Sequence, residues 1–99
     1  MPVSTTKDQK VLVDAFYNVK TKKDLTKLVS DLFTEEEILD LAQRLKTAES
    51  ISKGKTYEDI AKEIKVSTST ISKIGQVIKF GKGGFKLALS KKKTKKNKK

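Results

Sequence analysis

Between Thr56 and Ile78 the apolar residues keep helical spacing, lose it across a short break and resume it in a new phase. Ile60, Ala61 and Ile64 come first, Val66 stands at the break, and Ile71, Ile74 and Ile78 follow. Two short helices meeting steeply across a tight turn produce that pattern. Thr56 is placed to cap the first helix, answered by Asp59, and Ser67 to cap the second, which then starts at Thr68. The pair spans about residues 57–79. Ile60, Ile64, Val66, Ile71 and Ile74 are its expected shared core, with Ala61 where a larger side chain would push the helices apart. Lys65 occupies the turn position where glycine is usual, and a left-handed backbone there costs roughly 1 kcal/mol.

The outer face of the second helix carries Thr68, Ser69, Thr70, Ser72, Lys73 and Gln76, short or polar groups concentrated toward its N-terminal half. That is where a recognition helix meets base edges in the major groove. No acidic residue lies between Thr68 and Lys99, so nothing in that stretch repels phosphate. Thr68, Ser69 and Ser72 are the expected base readers. Lys62, Lys65, Lys73 and Lys79 are the expected phosphate contacts. An ordinary packed helix pair with a hydroxyl-rich solvated face explains the spacing, but it does not explain the caps and the charge sign together.

The whole chain agrees with a polyanionic partner. It carries 23 basic residues against 12 acidic ones, a net charge of +11, with no histidine. Nucleic acid is favoured over membrane, since no basic amphipathic segment has an aromatic face. Without histidine or cysteine, and with its carboxylates on helix starts and exposed faces, the chain offers no paired site for acid–base or nucleophilic catalysis. The run Glu35 to Glu37 points in three directions on a helix, so capping is its expected role and metal binding is not. No apolar run approaches the roughly 20 residues of a membrane span, and no secretory stretch opens the chain. A cytoplasmic protein is the default.

Six helices are expected in 99 residues, forming one all-helical domain over residues 1–90. Residues 1 to 6 read as loose. Val11, Leu12, Ala15, Phe16 and Val19 stripe a helix from about Lys7 to Val19, with Tyr17 at its border. Thr21 and Asp24 open a second helix faced by Leu25, Leu28, Val29 and Leu32. Thr34 and Glu37 open the longest, which runs to about Lys53 and stops at Gly54. After the helix pair, Gly81-Lys82-Gly83-Gly84 breaks the chain before a short last helix on Phe85, Leu87, Ala88 and Leu89. Residues 91–99 hold seven lysines and read as a disordered tail, leaving +4 on the remainder. At 35% hydrophobic content the core of a lone chain is thin, and burial against a second copy is a natural remedy.

These features together resemble the Trp repressor family of all-helical transcriptional regulators. The likeness runs from about Phe33 to Ile78, through Phe33-Thr34, the acidic turn, Gln43-Arg44, Gly54 and Thr56 to Lys73. Gly83-Gly84-Phe85-Lys86-Leu87 is similar to the end of the Trp-repressor-like branch. The resemblance implies an intertwined homodimer with two reading heads on one side and a palindromic operator. It also implies a corepressor, tryptophan or another amino acid, between the long helix and the reading head. Arg44 matches the first of the two arginines that sandwich the indole, and Thr34 the threonine near the carboxylate. Lys73 stands for the second arginine, losing the planar group that stacks and forks. Val77 replaces a serine near the ligand amine, and a buried ammonium without that partner costs about 1–3 kcal/mol or more, which disfavours tryptophan itself. The function expected is a dimeric, sequence-specific DNA-binding regulator that represses. The alternative is a non-specific basic nucleic-acid binder working through its tail.

Overall fold

A computed structural model describes residues 2–90, with side chains from Thr6 onward. The lysine run from 91 to 99, and what was expected of it, lies outside the described residues. Six helices follow in order: α1 (Pro2–Asn18), α2 (Lys22–Leu32), α3 (Glu35–Ser52), α4 (Tyr57–Ile64), α5 (Thr68–Phe80) and α6 (Gly84–Ala88). Two compact units divide the chain at Ile38/Leu39.

In the first unit, α1 begins at Pro2, where a loose segment was expected up to residue 6. Proline is tolerated in a first helical turn, where its missing N–H has no intrahelical acceptor to lose. The apolar stripe of α1 is largely uncovered: Val11 is 69% exposed, Val13 56% and Leu12 46%. Ala15, Phe16 and Val19 are half-buried, and Tyr17 is exposed as expected. Helix α2 likewise has no fully buried residue. Its start is capped by the Thr21 hydroxyl, which accepts from the Asp24 N–H at 3.1 Å.

The start of α3 has a complete capping box. Thr34 Oγ1 accepts from the Glu37 N–H at 3.1 Å, and Glu37 Oε1 accepts from the Thr34 N–H at 2.9 Å. Among the described residues only this box closes, because aspartate at the same position after Thr21 and Thr56 is one methylene shorter.

In the second unit, α3 ends in a Schellman motif. Gly54, at φ 85°, lets its own N–H reach the Ile51 carbonyl while the Lys55 N–H reaches that of Ser50. Helices α4 and α5 then pack on a small core in which Ile60 and Ile71 are wholly buried and Ile74 nearly so. Ala48 of α3 is also wholly buried. Each such isoleucine contributes about 1.5–3 kcal/mol by leaving water. Ile64 and Val66, expected in the same core, are half-buried at its edge. Helix α5 stops at Gly81 and α6 starts at Gly84, so the break is one residue shorter than the glycine run suggested.

Candidate nucleic-acid interface

The α4–α5 turn is held at both ends by side-chain caps. Thr56 Oγ1 accepts from the Asp59 N–H at 3.1 Å, and Ser67 Oγ accepts from the Thr70 N–H at 3.1 Å. Between them Lys65 takes the left-handed conformation, φ 62° and ψ 46°, and donates its N–H to the Ala61 carbonyl at 2.9 Å. It is the one non-glycine residue at positive φ among the described residues. The strain anticipated at Lys65 is therefore present. No glycine relieves it.

Successive residues of a helix turn by about 100°, which sorts the side chains of α5 into three strips. Ile71, Ile74, Gly75 and Ile78 face inward, the first three buried and Ile78 half-buried. Ser69, Ser72, Gln76 and Lys79 lie on the opposite, exposed side, with Thr68 exposed at the helix start. Thr70, Lys73 and Val77 fall on the flank between. Lys62 at the end of α4 and Lys65 in the turn are exposed and make no ion pair among the described residues. From Ile64 to Ser90 there are five lysines and no carboxylate, so the turn, α5 and α6 carry only positive charge.

Two of the residues expected on the reading face are turned elsewhere. Thr70 is half-buried, and its hydroxyl accepts from Ser67 Oγ at 3.0 Å. Lys73 stays exposed but borders a cleft on the flank of α5. Its volume is about 450 Å³. Asp40, Gln43, Arg44 and Thr47 of α3 form one wall, Thr70, Lys73, Ile74 and Val77 of α5 another, and Val66 and Phe85 complete it. Arg44, Lys73 and Val77, singled out as effector residues, thus meet in one place. Thr34 belongs to the other unit, where its hydroxyl and N–H serve the capping box.

Arg44 is not free inside the cleft. Its guanidinium donates to Asp40 Oδ2 at 3.1 Å, one turn back along α3. The pair is more than half exposed, so it adds little stability. Thr47 is fully buried and satisfied, donating to the Gln43 carbonyl at 2.8 Å. Lys73 has no ion-pair partner among the described residues.

Sequence reasoning missed Tyr57 and Gly75. Helix α5 carries its glycine in mid-helix, where glycine weakens a helix, and the reason lies across from it. A Cβ built on Gly75 would stand 2.6 Å from Tyr57 Oη and 3.7 Å from Tyr57 Cζ. An isolated glycine inside an otherwise periodic helix was the available signal.

The family model described as Trp repressor protein matches residues 7–93, most of the chain and all of the helix pair. This chain belongs to the Trp repressor family. It is similar to the uncharacterized protein YerC of Bacillus subtilis (strain 168), 33% identical over 78 residues that cover 79% of this chain and 75% of that protein. It is also similar to the crystal structure of a provisionally named Trp repressor from Staphylococcus aureus. There the identity is 28%, the TM-score 0.80, and the alignment covers 94% of this chain and 95% of that one. Trp repressor family proteins are DNA-binding regulators and not enzymes, and this chain is one of them. No described helix is long and apolar enough to cross a membrane.

Proposed function

We propose that this Trp repressor family protein is a homodimeric, sequence-specific repressor that reads a palindromic operator in the cytoplasm. The observation that carries this reading is the outer strip of α5. Ser69, Ser72 and Gln76 are exposed there on a helix whose opposite strip is buried and whose start is capped. Such a helix presents hydrogen-bonding groups at fixed spacing, flanked by the unpaired cations Lys62, Lys65 and Lys79.

The exposed face of α1 supports the dimeric part of the reading. A second copy gives its uncovered stripe, above all Val11, Leu12 and Val13, somewhere to go. Reading a palindrome also requires the two α5 helices of such a dimer to lie about 34 Å apart, one turn of DNA, on matching half-sites. Sedimentation of the purified chain should therefore give the mass of a dimer.

The rival reading makes the tail the binder and the helix pair mere packing. Truncating the chain after Ser90 separates them. Preserved preference for an operator over random DNA supports the helix pair, and collapse of all binding supports the tail.

The cleft is the proposed seat of an amino-acid effector. Lys73 is open to a carboxylate, Val66, Ile74, Val77 and Phe85 suit an apolar body, and Asp40 offers an ammonium the partner that Val77 lacks. A set of amino acids, added one at a time, should contain one that raises the melting temperature of the wild type but not of Asp40→Asn.

A further inference from the structure

Tyr57 has a role that the reading of α5 as the recognition helix leaves unassigned. It is the first residue of α4, 42% exposed, and its hydroxyl has no hydrogen-bond partner among the described residues. A partly exposed phenol with a free hydroxyl is ordinarily mobile at its tip. Here the tip rests against α5, so close to Gly75 that a Cβ built there would stand 2.6 Å from Oη. The bare Cα of Gly75 is the slot that receives it. Ile51 Cδ1, 4.0 Å from the same point, marks the floor of the slot.

The slot borders the reading strip. Gly75 lies about 60° around α5 from Ser72 and about 40° from Lys79, one turn along. The Tyr57 hydroxyl thus meets α5 at a residue whose neighbours round the helix are Ser72, expected to read bases, and Lys79, expected to meet phosphate. The carboxylates Glu58 and Asp59 project about 100° and 200° further round α4, so neither shares its direction. A neutral donor at the margin between the buried strip and the reading strip fits a phosphate oxygen better than a base edge, because it does not lie on the reading strip itself.

We infer that Tyr57, seated against Gly75, donates its hydroxyl to a backbone phosphate beside the recognition helix. The inference rests on α5 being that helix. It makes Tyr57 a contact that grips DNA without reading it, and Gly75 the residue that positions it.

The test measures binding of the full chain to a selected operator and to random duplex across a salt series. Tyr57→Phe should weaken both DNAs alike, by about 3- to 10-fold, the range of one neutral hydrogen bond. The salt slope should stay as in the wild type, because no charge is removed. Gly75→Ala should show the same uniform loss by displacing the phenol. Tyr57→Phe/Gly75→Ala should bind no worse than Tyr57→Phe and melt higher than Gly75→Ala, since the colliding atom is gone. Unchanged binding by Tyr57→Phe overturns the inference, as does a loss confined to the operator or a reduced salt slope. If Gly75→Ala does not fold, Tyr57→Phe decides alone. A wild type that shows no preference for any sequence refutes the proposed function instead, so the two failures are distinct.

Discussion

Replacing Lys65 by glycine should move stability and DNA affinity in opposite directions. Lys65 sits at φ 62° and ψ 46°, a conformation that costs a residue with a Cβ about 1–2 kcal/mol and costs glycine almost nothing. Against that gain, glycine leaves the unfolded chain freer, which offsets about 0.4–1 kcal/mol. The net stabilisation is roughly 0.5–1 kcal/mol. For a domain of this size about 4–8 °C accompanies each kcal/mol, so the melting temperature should rise by roughly 2–8 °C. Wild type and Lys65→Gly are compared by thermal denaturation at one protein concentration, because association makes melting concentration-dependent. Lys65→Asn should fall between them, since asparagine tolerates the left-handed region better than lysine. The side chain is exposed and makes no ion pair among the described residues, so none is lost with it. DNA binding should nonetheless weaken on every sequence. The salt slope should drop by about 0.9 for each phosphate contact removed, twice that for a dimer. A lower melting temperature for Lys65→Gly would refute the strain argument. A higher one with unaltered affinity and slope would remove Lys65 from the interface.

Three further substitutions probe separate parts of the account. Lys62→Gln should weaken operator and random DNA by the same factor and reduce the salt slope by about one per contact, read from binding isotherms at several salt concentrations. Ser69→Ala should alter which base pair is preferred at one position of each half-site, by about 1–3 kcal/mol of discrimination. A uniform loss in its place removes Ser69 from the base readers. Thr34→Ala breaks the closed capping box of α3 and should lower stability by about 0.5–2 kcal/mol in denaturant unfolding, with no change in sequence preference.

What the sequence made legible was the local chemistry. Caps at Thr21, Thr34, Thr56 and Ser67, the left-handed stops at Gly54 and Lys65, and the phase change between α4 and α5 all depend on residues a few positions apart. Their physics is readable from spacing alone. Contacts set by packing between helices were not. Thr70 looked like a surface hydroxyl, but the angle of α5 turns it into the cleft. Arg44 matched a ligand arginine, and the carboxylate one turn back on α3, Asp40, pairs with it. The close approach expected at Ala61 left no sign of Tyr57 and Gly75, because a slot formed by one residue from each of two helices has no periodicity. The start of α1 was set too late because residues 1 to 6 read as loose, whereas Pro2 can begin a helix.

The strip of α5 bearing Ser69, Ser72 and Gln76 faces a base-pair groove, twice in each complex, if this account holds. Selecting bound duplexes from a random pool with the purified protein tests that directly. The account predicts one enriched sequence with two inverted half-sites about one helical turn apart. A pool that stays random at a salt concentration where binding persists would contradict it, and so would enrichment of a single unpaired site.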